Sequence, residues 1–183
     1  VNDIKSTNAT FIIPINFRKA YDVSNAFLAD KIALSDMRKW NQEPANPAVL
    51  AKNNVPFALT TFQLKKVENF KINLYKAIKF GLDKTTALKA LTSIPAKILQ
   101  NDKIGNLNKG SYANFLITSG DIFDAKTTLY ENWVQGSKNV INAMNIKDIT
   151  GTYMLAVNDK NYDLTSSGKG AKQTGAITMG DDK

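Results

Sequence analysis

The sequence contains neither histidine nor cysteine among its 183 residues. Without cysteine the chain can form no disulfide, no thiolate metal site and no cysteine nucleophile. Without histidine it lacks the commonest metal ligand and the commonest general base near neutral pH. Neither a Ser-His-Asp nor a Cys-His arrangement can be assembled from these residues. A site built from carboxylates stays open, because 16 Asp and Glu are present.

Arginine is scarce as well. Arg18 and Arg38 are the two arginines, so lysine supplies 22 of the 24 basic residues. The formal net charge of +8 would suit a nucleic-acid partner. Bidentate contacts to phosphates and base edges favour arginine, however, and the lysines are scattered along the chain. We interpret the charge as a solvated lysine-rich surface and expect no nucleic-acid partner, with a basic nucleic-acid binder as the rival interpretation.

Long apolar runs are missing too. None approaches the roughly 20 residues that span a bilayer, so we expect no membrane partner. The first ten residues are polar and mixed, unlike a signal peptide, and position 1 is Val1 rather than methionine. We therefore expect this chain to be a segment of a longer protein, and its compartment stays open.

The apolar pattern predicts an α/β part. Short unalternating apolar runs at residues 10–15 and 55–61 indicate strands buried on both faces, as in a parallel sheet. Proline at positions 44 and 47 predicts a helix break over residues 41–47. Helices are predicted over residues 47–52, 66–80 and 84–93, with Gly81 and Asp83 as caps and Pro95 as an interruption.

The pattern changes to β near residue 101. Strands are predicted over residues 113–118, 129–135 and 138–141, followed by a hairpin across residues 149–165 that turns at 158–160. Residues 166–183 carry glycine and few large apolar side chains, so we expect most of this tail to be poorly ordered.

Four consecutive segments carry a family resemblance. Residues 87–99 (ALKALTSIPAKIL) resemble the amidohydrolase segment ALxAxTxNPAxxLG, and residues 104–110 (IGNLNKG) resemble xGSLxxGK. Residues 111–117 (SYANFLI) are similar to xADLVVL, and residues 133–136 (WVQG) to the closing VxVDGKxV. Their order and spacing together resemble the amidohydrolase superfamily, the imidazolonepropionase-like metal-dependent hydrolases.

The resemblance implies a fold of class α/β: the last strands and helices of a (β/α)8 amidohydrolase barrel, followed by strands of a small β-sandwich. It places the barrel part at residues 1–100 and the sandwich strands at residues 101–141. Residues 142–183 would be a β-hairpin and flexible tail, or the start of a further domain. The resemblance implies that members of the family can bind zinc. We expect this segment to hold no cofactor. The expected partner is the rest of the parent chain or a second copy.

Phe62 stands where the resemblance places the family's catalytic aspartate. That aspartate closes the eighth strand after a GVPVALGT pattern, and residues 54–61 (NVPFALTT) match the pattern here. Phenylalanine can neither ligate a metal nor accept a proton, and the neighbouring Thr60 and Thr61 are no substitute for a carboxylate. We expect no catalytic residue and no metal ligand here. A misalignment, with Glu68 as the nearest carboxylate, and a parent with a second, active module remain alternatives.

Asn16, Phe17 and Arg18 follow the first predicted barrel strand. Catalytic and binding residues of such barrels lie at the carboxyl ends of the strands, so these three are candidates for the barrel mouth, where Arg18 could meet an acidic ligand. A plain surface loop is the alternative. Trp40 and Trp133 are interpreted as core residues, and Asp121 and Asp124 as turn residues, since the spacing of a calcium loop is absent.

The sequence thus predicts the C-terminal part of an amidohydrolase-like protein, whose parent class hydrolyses C–N bonds in amides. The segment itself is expected to be inactive. A non-enzymatic binding or scaffold module of a larger protein is the alternative function.

Overall fold

In a computed structural model, which describes residues 2–168 and 172–178, the chain divides into two compact units, Val1–Asn114 and Phe115–Lys183. The domain boundaries predicted from the resemblance, after residues 100 and 141, stay predictions. Among the described residues, no helix combines the length and the hydropathy that a membrane crossing requires.

The first unit is mixed α/β. Its strands are β1 (Phe11–Pro14) and β2 (Phe57–Thr60), and a short 3-10 helix covers Glu43–Ala45. Its helices are α1 (Asn2–Lys5), α2 (Ala26–Asp30), α3 (Leu34–Gln42), α4 (Asn46–Lys52), α5 (Asn69–Lys79), α6 (Lys84–Leu91) and α7 (Ser93–Ile98). Strands β1 and β2 pair in parallel, with Phe11 opposite Phe57 and Pro14 opposite Thr60. The predicted parallel strands are confirmed, whereas a barrel stays a prediction.

The core of this unit lies against β2. Phe57 and Ala58 are buried, and so is Val55 just before the strand. Helices α6 and α7 pack on β2, and the buried faces of α6 carry the small residues Ala87 and Ala90, which allow close approach. Leu88 is 48% exposed, because the two alanines of α6 face the strand instead.

Two local signals at the helix ends are confirmed. Gly81 has a φ of +101°, the left-handed conformation expected after a helix, and its N–H donates to the Ile78 carbonyl at 3.0 Å. Asp83 caps α6 by accepting a hydrogen bond from the Thr86 N–H at 2.9 Å.

Two proline predictions are corrected. Residues 41–47 are helical rather than broken: α3, the 3-10 helix and α4 follow one another directly, with Pro44 and Pro47 in first turns. Proline is accepted there, because a first-turn N–H has no partner within the helix. Likewise, the interruption predicted at Pro95 lies at Thr92, whose φ and ψ are −129° and −82°.

The second unit contains two three-stranded antiparallel sheets. One joins β3 (Phe115–Thr118), β4 (Leu129–Val134) and β5 (Ser137–Val140); the other joins β6 (Gly151–Val157), β7 (Lys160–Ser167) and β8 (Thr174–Thr178). Hairpin turns at Gln135–Gly136 and Asn158–Asp159 have positive φ at both positions, which matches the twist of the flanking strands. The hairpins are confirmed, while a β-sandwich stays a prediction.

Strand β8 differs from the flexible tail predicted for residues 166–183. It pairs with β7 along Thr174–Thr178, with Ile177 opposite Leu164, and makes a three-stranded sheet of the hairpin. Residues 169–171 and 179–183 of that predicted tail lie outside the described residues.

A buried carboxylate, paired with an exposed lysine, joins β4 to β5 in the β3–β4–β5 sheet. Glu131 on β4 is 3% exposed, and its carboxylate accepts from the Trp133 Nε1 at 2.7 Å and from the Lys138 Nζ at 2.5 Å. Trp133 also stacks on Phe115, with ring centroids 5.3 Å apart. The structural role predicted for Trp133 is therefore confirmed.

Candidate functional site

The carboxyl ends of β1 and β2 meet at one edge, because the two strands are parallel. The segments that follow them are joined by a hydrogen bond from the Asn16 Nδ2 to the Gln63 Oε1 at 3.3 Å. Helix α5 contributes Asn73, whose Nδ2 donates to the Ile15 carbonyl at 2.6 Å and fixes the end of β1. Residues 16–18 and 60–62, predicted separately, therefore lie at the same edge of the sheet.

A cavity of about 680 Å³ opens beside the end of β1. Its remaining walls come from the C-terminal turn of α3, the 3-10 helix and α4. The polar lining residues are Asn16, Arg18, Lys39, Gln42, Glu43 and Asn46. Apolar walls come from Pro14, Phe17, Pro47 and Val49. All three predicted mouth residues thus line this cavity, as ligand-site walls of mixed character do.

Arg18 is held in place by Glu43. The Arg18 Nε lies 2.7 Å from the Glu43 Oε1, and the Arg18 backbone N–H donates to the Glu43 Oε2 at 3.0 Å. A hydrogen bond with Tyr21 and then the charge of Glu43 raise the pKa of the Arg18 guanidinium above its usual range. The guanidinium is therefore permanently charged and fixed at the cavity wall.

Aromatic residues back the cavity. The Lys76 Nζ of α5 lies 5.8 Å from the ring centroids of both Phe17 and Trp40, within the range of a cation–π contact. Trp40, predicted as a core residue, is half-buried. Lys76 adds positive potential behind this wall without lining the cavity itself.

Phe62 lies at the strand edge and is 64% exposed. Its backbone N–H donates to the Thr60 Oγ1 at 3.2 Å, so this hydroxyl is engaged in the local turn. Glu68, the alternative carboxylate, is exposed in the turn that leads into α5. Within residues 2–168 and 172–178, no three Asp or Glu side chains converge on a point that could hold a metal ion.

Asp121 and Asp124 serve as turn residues, as predicted. The Asp121 Oδ1 accepts from the Phe123 N–H, and the Asp124 Oδ1 from the Lys126 N–H, each at 2.9 Å. These bonds close turns within one loop.

Sequence reasoning missed Lys39, Glu43 and Gln63. Lys39 and Glu43 are four residues apart, a spacing that places both on one face of a continuing helix. The signal was present, but the helix break predicted at residues 41–47 concealed it. Gln63 has a φ of +61°, which no local sequence pattern indicates.

Comparisons with known proteins give one partial similarity. The chain is similar to the crystal structure of an amidohydrolase from Thermotoga maritima MSB8, with 29% identity and a TM-score of 0.47. The match covers 52% of this chain and 25% of that chain. The matched part therefore corresponds to about a quarter of the length of the Thermotoga protein. No family model matches the chain, and no curated protein matches it. Membership of the amidohydrolase family is therefore a proposal.

Proposed function

We propose that this chain is the C-terminal part of an amidohydrolase-like protein and that its strand-edge site binds a ligand without hydrolysing it. Phe62 carries the proposal. It occupies the position that the resemblance assigns to an aspartate acting as metal ligand and general base, and its side chain can do neither. The non-enzymatic binding module, an alternative at the level of sequence, thereby becomes the function of this site.

The order of elements supports the parent family. Two parallel strands separated by helices are followed by the α6–α7 pair and then by β3–β5, the order that the four resembling segments imply. The site supports binding over hydrolysis, because Glu43, the one carboxylate lining the cavity, has both oxygens engaged by Arg18.

The partner of the first unit is proposed to be the rest of the parent chain. A two-stranded parallel sheet leaves an unpaired edge on each strand, and parallel sheets are normally covered on both faces. Further strands from the same polypeptide would satisfy both requirements, and a second copy of the chain is the alternative source.

Metal content and amide hydrolysis of the full-length protein test the proposal. Purified protein would be analysed for zinc and assayed on a panel of linear and cyclic amides, together with the variants Phe62→Ala and Thr61→Val. We expect no turnover that depends on this strand edge. Metal-dependent turnover that falls more than tenfold in either variant would contradict the proposal, whereas turnover that both variants retain would come from another module of the parent.

A further inference from the structure

We propose that the cavity beside β1 binds a small organic carboxylate with an apolar body, through Arg18 and Lys39 on one wall and Phe17 on the other. This inference deepens the proposed function by naming the ligand class. It rests on the binding part of that function and is independent of the loss of hydrolysis.

The charge of the cavity determines the sign of the ligand. Arg18, Lys39 and Glu43 are the charged residues that line it. Glu43 is engaged through both oxygens by the Nε and the backbone N–H of Arg18, so it orients the arginine rather than facing a ligand. The lining itself keeps a surplus of one positive charge. Asp36, outside the lining, offsets part of it through the 3.8 Å ion pair with Lys39, and Lys76 contributes further positive charge from beside Phe17. An anion is the ligand that this potential stabilises.

The geometry of Arg18 favours a planar anion. A guanidinium carries five N–H donors, and the ion pair with Glu43 uses the one on Nε. A hydrogen bond with Tyr21 uses more of the same guanidinium, and we assign its remaining N–H donors to a ligand. Two parallel N–H groups match the two oxygens of a carboxylate, and holding the arginine in advance reduces the ordering cost of binding. Lys39, 64% exposed and 3.8 Å from Asp36, can turn its ammonium group towards the same anion.

The apolar wall determines the rest of the ligand. Phe17 is half-buried and faces the cavity with Pro14, Pro47 and Val49. A fully hydrated anion such as inorganic phosphate would leave these side chains in contact with water. An acyl or aryl body would cover them and gain the free energy of apolar burial. The cavity volume of about 680 Å³ fits a ligand of this size.

Binding would be measured in the full-length protein by calorimetry and by the side-chain N–H signal of Arg18 in NMR. The probes are 3-phenylpropanoate, its neutral analogue 3-phenylpropanamide, acetate and inorganic phosphate. We expect the aryl acid to bind about tenfold or more tightly than each of the other three, because it alone has both the charge and the apolar body. Equal affinity for phosphate or for the amide would overturn the proposal.

The two arginines of the chain supply a matched pair of variants. Arg18→Gln should weaken binding of 3-phenylpropanoate about tenfold or more, and Lys39→Gln about twofold to fivefold. Arg38→Gln changes the net charge equally but lies outside the cavity lining, so affinity should stay within about twofold. Equal losses of affinity in Arg18→Gln and Arg38→Gln would show that the net charge of the protein, rather than a contact with Arg18, causes the effect. That result would overturn the proposal.

If Arg18→Gln does not fold, Lys39→Gln and Phe17→Leu still test the proposal. Lys39 is on the surface and Phe17→Leu keeps an apolar side chain, so both proteins should remain folded. Phe17→Leu should weaken the aryl acid and leave acetate unchanged, and an unchanged affinity for the aryl acid would contradict the apolar wall. Failure of the carboxylate proposal would leave zinc content and amide hydrolysis unchanged. Those two assays therefore distinguish it from failure of the proposed function.

Discussion

Residue 105 accepts glycine and little else. Gly105 has a φ of +71°, a conformation that costs a residue with a Cβ about 1 kcal/mol or more. A Cβ at this position would also lie 2.5 Å from the carbonyl oxygen of Thr92, which is backbone and cannot turn away. The position therefore combines conformational strain with a steric clash, in the loop that follows α7.

Gly110 provides the control that separates these two effects. Its φ is +93°, and a Cβ there would meet nothing within 4 Å. We expect Gly110→Ala to lower the free energy of unfolding by about 1 kcal/mol and Gly105→Ala by at least about 1 kcal/mol more, measured by urea denaturation. Equal losses in the two variants would mean that Thr92 moves aside and that the clash costs nothing.

Glu131 makes the stability of the second unit depend on pH. Hydrogen bonds from Lys138 and, next, from Trp133 lower the pKa of its carboxyl group. A carboxyl whose pKa is lower in the folded state contributes stability that is full above its unfolded pKa of about 4.3 and is lost as the pH falls through the folded pKa. Glu131→Gln should therefore lower the urea midpoint at pH 7 and lower it less at pH 2.

The exposed Glu68→Gln variant is the control for this experiment, and it should leave the midpoint unchanged at both pH values. A Glu131→Gln effect of the same size at pH 2 and pH 7 would show that packing of the side chain, rather than its charge, is what the fold requires.

Residues differ in how far the sequence predicts their roles. Gly81 and Asp83 were predictable, because a helix cap depends on neighbours within four residues. The pairs Arg18–Glu43 and Asn16–Gln63 were not, because the partners are 25 and 47 residues apart and meet only in the folded chain. Phe62 was placed by a resemblance, since nothing in its own chemistry marks it as a site residue.

At the scale of elements, helix α6 depends on its cap. The Asp83 carboxylate accepts hydrogen bonds from the N–H and the hydroxyl of Thr86, at 2.9 and 3.2 Å. Asp83→Ala leaves that N–H without its acceptor and should cost about 1 kcal/mol of unfolding free energy. Asp83→Asn keeps an acceptor and should cost a few tenths of that amount, and a loss as large as that of alanine would argue against capping as the cause.

Elements were predicted best where periodicity and end signals agreed. Strands β1 and β2, helix α5 and both hairpins satisfy this condition, since an apolar run or stripe ends at proline, glycine or a turn residue in each. The prediction for residues 41–47 was wrong, because the effect of proline depends on its position. Proline breaks the interior of a helix but is well accommodated in the first turn. Strand β8 was not predicted, because its five residues include one large apolar side chain and form a strand only by pairing with β7.

At the scale of the whole molecule, strand β1 of the first unit carries an exposed apolar side chain. Ile12 in β1 is 59% exposed, although Ala58, its neighbour on β2, is 4% exposed. Sequence alone indicated a strand buried on both faces, and the structure leaves this part of β1 open. The difference is expected if the missing cover lies elsewhere in the parent protein, which no local pattern of this chain can specify.

The substitution Ile12→Lys in the full-length protein tests where that cover lies. If the rest of the parent chain packs on β1, a buried lysine should lower the free energy of unfolding by about 2–3 kcal/mol. Leu107→Lys, at a loop position that is 77% exposed, should change it by less than about 0.5 kcal/mol.

The loss at Ile12 should be independent of protein concentration, because the cover is intramolecular. A loss that grows on concentration of the protein would assign the cover to a second copy, since stability coupled to association follows mass action. Equal, small effects of both substitutions would show that β1 is exposed in the intact protein and would contradict the proposed partner.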